Sequence, residues 1–123
     1  MAKAQLVHAF NAARTELHDV LGLTGCEVSI NTMPPQVETP FIHYHEQNEE
    51  VYVVLEGKGQ VWLDGDVTDI AAGDCFRVVP AAHRCLRAGA EGLRYICIQA
   101  REGSLVQFTM GDGKLVEGQK TSW

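Results

Sequence analysis

The residues best suited to chemistry in this chain are two histidines followed closely by two glutamates. His43 and His45 are separated by one residue, and Glu49 and Glu50 lead into an apolar run. Residues i and i+2 of a strand point to the same face, so both imidazoles would share a face if residues 41–45 are extended. Two imidazoles with a nearby carboxylate form a partial metal-binding set.

Short strands separated by turns must position these residues. Only residues 4–21 have apolar residues at roughly helical spacing, which predicts a short N-terminal helix or a covering arm. Helix–strand alternation is absent, so the pattern favours an antiparallel barrel or sandwich. Strands are predicted at residues 26–33, 41–45, 50–55, 60–63, 67–70, 75–79, 83–86 and 93–99, with turns at 57–59, 64–66 and 72–74 and a loop at 88–92.

Length and composition predict one domain. The chain has 123 residues, is 46% apolar and carries a formal net charge of -6. We expect an arm or helix at residues 1–24, a barrel at 25–110 and a tail at 111–123. The net negative charge argues against binding to nucleic acid, and no apolar run is long enough to cross a membrane. Four scattered cysteines and no evident export signal favour reduced thiols and the cytoplasm.

Two stretches resemble the motifs of one known family. The spacing of His43, His45, Glu50 and Gly57 is similar to the first motif of the cupin family. The second motif is matched less closely, by Gly73-Asp74, Pro80 and His83. The turn before His83 is shorter than usual and lacks the expected glycine. Together the two stretches span residues 37–87.

This resemblance implies a double-stranded β-helix, that is, a jelly-roll barrel with the metal site in its mouth. It implies one divalent transition metal ion per chain (Mn, Fe, Ni, Co, Cu or Zn), bound by His43, His45, Glu50 and His83. Glu49 is the rival carboxylate, because strand alternation alone does not choose between the two glutamates. The four-residue gap after His45 favours Glu50.

Three further residues are candidates for the wall of the pocket. Tyr52 and Trp62 are large strand-forming residues that would serve either as pocket walls or as ordinary core. Cys85 lies two residues after His83 and would face the same way on a regular strand. It is either a buried small residue or a thiol close to the metal.

Two functions fit these observations. The first is a metal-dependent enzyme that acts on a small oxygen-rich metabolite, as an isomerase, lyase, cyclase or dioxygenase. The second is a non-catalytic module of the same fold that binds or senses a small molecule. A third hypothesis is a structural barrel whose site has decayed. A small barrel exposes strand edges, so we also expect a homodimer.

Overall fold

The computed structural model describes residues 3–123 and confirms the all-β class. One six-stranded antiparallel sheet folds on itself as a jelly-roll barrel. A five-residue helix, α1, and a terminal 3₁₀ turn at Thr109–Gly111 complete the fold. The elements in chain order are β1 Arg14–Glu16, α1 Leu17–Leu21, β2 Glu27–Met33, β3 Asn48–Leu63, β4 Asp66–Ala71, β5 Cys75–Val78 and β6 Arg84–Arg101.

Two long strands, β3 and β6, pair with each other along most of their length. The sequence predicted two shorter strands in place of each, divided by a glycine turn at 57–59 and by a loop at 88–92. The chain instead continues through both places, with irregular register beside Gly57. Gly57 has φ 82°, and a Cβ there would overlap the carbonyl oxygen of Gly92. These glycines therefore permit a bend between packed strands and do not end them.

The bend divides the barrel into two walls that share β3 and β6. The first half of β3 lies between β5 and the second half of β6, which in turn pairs with β2. The second half of β3 lies between β4 and the first half of β6. The core between the walls is formed by Met33, Tyr52, Val54, Val61, Ile70, Val78, Leu86, Ala88, Leu93, Tyr95 and Cys97.

The N-terminal segment forms less helix than its spacing predicted. The helix is confined to Leu17–Leu21, and it follows the short strand β1. Residues 7–11 run as an arm beside Ile30 on the outer side of β2, and the Arg94 guanidinium lies 4.2 Å from the centre of the Phe10 ring. The arm thus lies against the outer side of β2 in an extended form, and Leu6 and Phe10 stay 71% and 56% exposed.

Strand β2 has its polar residues at positions 29 and 31 inside the barrel, which is the reverse of a strand whose polar face is exposed to solvent. Ser29 and Asn31 are buried and line an internal cavity, whereas Ile30 faces the arm. Both faces of the strand are therefore covered at residues 29–31, and Ser29 and Asn31 point into the barrel.

No helix within residues 3–123 has the length and apolar character needed to cross a bilayer. The residues after Arg101 are exposed throughout, including Leu105, Val106 and Phe108.

Candidate metal centre

The histidine segment is held by backbone hydrogen bonds to the start of β6. His43 exchanges both bonds with Arg84, at 3.2 and 2.9 Å, and His45 N donates to the Pro80 carbonyl at 2.9 Å. This contact is an isolated bridge, so the strand predicted at residues 41–45 does not form. The bridge nevertheless fixes the backbone on both sides of Tyr44.

Three side chains converge in the cavity at this point. Potential ligand atoms of His43, His45 and Glu50 all lie within 4.8 Å of one another. The cavity has a volume of about 620 Å³, a size typical of sites for small metabolites. The structure therefore brings together three of the four residues that the sequence indicated as ligands.

Both imidazoles carry a buried nitrogen that has no hydrogen-bond partner among residues 3–123. These atoms are Nδ1 of His43 and Nε2 of His45. His45 Nε2 lies 3.4 Å from Glu50 Oε2 without forming a hydrogen bond to it. Burial lowers the pKa of His43, which favours the neutral imidazole that a metal requires. Orphaned buried nitrogens are costly, and a bound ion would satisfy them.

Glu50 is held in one orientation by donors on both of its oxygens. Oε1 accepts from the Tyr52 hydroxyl and from Arg84 Nη1, each at 2.9 Å, and Oε2 accepts from Cys97 Sγ at 3.2 Å. Burial alone would raise the pKa of Glu50. Hydrogen bonds from Cys97 and Tyr52, together with the positive charges nearby, lower that pKa overall, so the group stays ionised.

Arg84 is fully buried beside Glu50, with none of its side chain exposed. Besides the bond to Glu50, its Nη2 donates to the carbonyl oxygens of Val79 and Pro80, at 2.6 and 3.1 Å. The guanidinium thus ties the carboxylate to the turn before β6. A buried ion pair of this kind fixes geometry, and removing one partner leaves an uncompensated charge.

Glu49, the rival carboxylate, points away from the cavity. Its Oε1 accepts from Arg77 Nε at 2.7 Å on the outer surface, where Arg77 also binds Glu102. The side chain of Glu50, by contrast, is only 4% exposed. Adjacent residues of a strand face opposite sides, and here Glu50 has the inward side.

His83 lies outside the three-residue group. Its ring stacks on Tyr44 with the ring centres 5.2 Å apart, and its backbone N donates to Asp64 Oδ1 at 2.9 Å. Residues opposite each other in an antiparallel bridge share a face, so Arg84, the partner of His43, takes the inward position. Its neighbour His83 takes the outward one.

The three pocket candidates have different surroundings. Tyr52 lines the cavity, is bonded to Glu50 and stacks on Phe76. Cys85 also lines the cavity, and its Sγ lies 2.9 Å from Thr39 Oγ1. Trp62 lines a separate depression, in which Cys85 also takes part. Of the three, Tyr52 alone forms a hydrogen bond to a member of the candidate metal-binding group, that is, His43, His45 and Glu50.

Sequence reasoning missed several residues around the site. Arg84 and Cys97 contact Glu50, while Arg14, Ser29 and Asn31 line the cavity. The alternation of β6 gives a signal for Arg84, because it shares parity with the apolar Leu86 and Ala88. A charged residue in a buried register suggests a specific partner.

The donor set fits a divalent transition metal ion. Two imidazole nitrogens and one carboxylate match the set that binds such ions in many proteins, with further positions open to water or substrate. The site therefore has the ligands, the buried setting and the supporting hydrogen bonds that a metal centre needs.

Comparison with known families agrees with this fold. The family model described as "Cupin domain" matches residues 29–99, which is more than half of the chain. The chain belongs to the cupin family. A cupin protein from Bacteroides fragilis has a solved structure that is 43% identical, with a TM-score of 0.89, covering 94% of this chain and 99% of that one.

Two other relatives are more distant. The structure of a proposed sugar phosphate isomerase from Acidithiobacillus ferrooxidans is 30% identical with a TM-score of 0.64, covering 72% of this chain and 58% of that one. An uncharacterised protein of Methanocaldococcus jannaschii is 32% identical over 57 residues, or 46% of each chain. This cupin thus matches less than half the length of that curated relative.

Proposed function

We propose that this cupin is a metal-dependent enzyme acting on a small oxygen-rich metabolite. One observation carries the proposal: two buried imidazole nitrogens without partners converge with an ionised carboxylate inside a cavity of metabolite size. When bound, the ion would supply Lewis-acid polarisation of a substrate oxygen. His43, His45 and Glu50 would hold it.

The other residues of the site prepare this group for its role. Burial raises the pKa of both the Tyr52 hydroxyl and the Cys97 thiol, so they stay protonated and act as donors to Glu50. Arg84 and Tyr52 both donate to Oε1 of Glu50, so Oε2, which also accepts from Cys97, is the oxygen directed at the histidines. The polypeptide thereby presents one carboxylate oxygen and two imidazoles in a fixed arrangement.

Isomerisation is the reaction class that the comparisons favour. The relative described as a proposed sugar phosphate isomerase is 30% identical to this chain over 72% of its length. Sugar phosphates are small and rich in oxygen, and they match the metabolite class inferred from the site. Lyase, cyclase and dioxygenase reactions remain the neighbouring hypotheses.

The test is turnover by the purified protein loaded separately with Fe²⁺, Mn²⁺, Ni²⁺, Co²⁺ or Zn²⁺. Aldose and ketose phosphates would be followed by NMR, and oxygen uptake would be recorded in parallel. We expect conversion by one loaded form and none by the metal-free protein or the His43→Ala/His45→Ala variant. Saturable ligand binding without any conversion would instead favour the non-catalytic module.

The fourth ligand that the sequence predicted, His83, stays a prediction, and our proposal rests on the three residues that converge. Titration of the metal-free His83→Ala variant with Co²⁺, beside His43→Ala, tests it directly. Loss of affinity in both variants would add His83 to the ligand set. Loss in His43→Ala alone would limit the set to three residues.

We also propose that two copies of the chain associate. The exposed residues after Arg101 include Leu105, Val106 and Trp123, with 74%, 82% and 99% of their surface accessible. Apolar side chains in this number gain from burial against a second copy. Light scattering should give twice the chain mass of 13.5 kDa. A monomer at micromolar concentration would contradict the proposal.

A further inference from the structure

The cavity has a second polar region that the metal-binding group does not use. Ser29 and Asn31 on β2 line it and are only 3% and 5% exposed. Asn31 Nδ2 donates to Ser29 Oγ at 3.0 Å. Apolar side chains at these positions would simply extend the core. A hydroxyl and an amide instead give the wall donors and acceptors that suit the hydroxyl groups of a ligand.

Strand β1 brings a positive charge to the same wall. Arg14 lies opposite Asn31 in the β1–β2 register, and its Nη1 donates to Asn31 Oδ1. Its Nε donates to Glu16 Oε1 at 3.1 Å. These bonds use Nη1 and Nε and leave Nη2 for a ligand. The side chain is 53% exposed and lines the cavity, so a bound molecule would reach it without rearrangement of the barrel.

The charges around the cavity favour an anion once a divalent ion is bound. Glu16 is paired with Arg14, and Glu50 is paired with Arg84. Of the carboxylates that line the cavity, only Glu38 stands outside these pairs. The double positive charge of a divalent cation exceeds the single negative charge of Glu38, so the cavity with its metal bound is net positive. A planar guanidinium is well suited to bind a carboxylate or a phosphate.

We infer that the substrate is a small polyhydroxylated anion whose carboxylate or phosphate binds Arg14. Its hydroxyl groups contact Ser29 and Asn31, and other oxygens reach the metal-binding group. This inference rests on the proposed function and makes the N-terminal strand part of the substrate site. The anionic group and the metal would thus orient the substrate from two sides.

The test is calorimetric titration of the Co²⁺-loaded protein with ribose phosphate, gluconate and neutral sorbitol. Wild type, Arg14→Ala and Arg14→Lys are compared with Arg77→Ala, which removes the same charge from the outer surface. A charge-assisted hydrogen bond contributes about 1.5–3 kcal/mol, so Arg14→Ala should weaken anion binding by about tenfold or more. Arg77→Ala should change it by less than about twofold, and Arg14→Lys should fall between.

The ratio of anion to sorbitol affinity shows whether Arg14 binds the anionic group or only supports the structure of the site. If Arg14 only tethers β1, Arg14→Ala would weaken all three ligands equally, and that result would overturn the inference. So would wild-type protein that binds Co²⁺ but neither anion. If Co²⁺ itself does not bind, the proposed function fails. The metal-free protein is then titrated: weaker anion binding by Arg14→Ala than by wild type would support the role of Arg14, and equal binding would overturn it.

Discussion

Two neighbouring segments resemble metal-binding motifs, yet they place their histidines differently. The first segment directs His43 and His45 into the cavity, whereas the second directs Arg84 inward and leaves His83 stacked on Tyr44 outside. The bridge between His43 and Arg84 decides this, because opposed residues share a face. An offset of one residue is therefore enough to place an arginine instead of a histidine on the cavity side.

The largest expected effect that separates the two segments is on stability. Arg84→Ala leaves Glu50 buried without its cation, which should lower the free energy of unfolding of the metal-free protein by about 3–5 kcal/mol. His83→Ala changes a side chain outside the cavity and should cost about 0.5 kcal/mol or less. Urea unfolding measures both.

A double variant serves as the control for this effect. Arg84→Met with Glu50→Gln removes both charges, so it should be more stable than Arg84→Ala alone. Equal stability of His83→Ala and Arg84→Ala would break the contrast between the segments.

A smaller effect distinguishes the two adjacent glutamates. Glu50→Gln removes a proposed ligand and should weaken Co²⁺ binding by more than the roughly 10–100-fold typical of supporting residues. Glu49→Gln removes only the surface pair with Arg77 and should leave the affinity nearly unchanged. Competition against a chelator of known affinity gives both constants. Equal losses in the two variants would contradict the orientation described for β3.

The smallest effect is a dependence of stability on pH. Burial lowers the pKa of His43 below its ordinary value of 6.5. Between about pH 7 and pH 5 the unfolded chain therefore binds a proton that the folded chain resists, and the free energy of unfolding falls as the pH falls. Thermal melts of the metal-free protein should show a shallower slope for His43→Gln than for wild type. An unchanged slope would remove His43 as the source.

Much of the fold was accessible from sequence because its signals are local. The β-branched run of β3, the Asp64-Gly65 hairpin and the alternation of β2 each predict their strand. The sequence did not predict that β3 and β6 are each continuous, because Gly57 and Gly92 look like turn residues. Their bend depends on close packing between strands far apart in sequence.

The candidate site also has one part that the sequence predicts and another that it does not. The spacing of His43, His45 and Glu50 identified the group that the structure brings together. The inward place of Arg84 depends on a bridge between segments about forty residues apart, which no local pattern reports. The polar wall of β2 was not predictable, because alternation alone does not say which side of a strand faces solvent.

The most direct test of the account is elemental analysis of untagged protein purified without chelator. Wild type, His83→Ala and His43→Ala/His45→Ala would be measured together after reloading with a transition metal. We predict about one ion per chain in wild type and His83→Ala, and none in the double variant. Metal retained by the double variant, or absent from reloaded wild type, would contradict the metal centre at His43, His45 and Glu50.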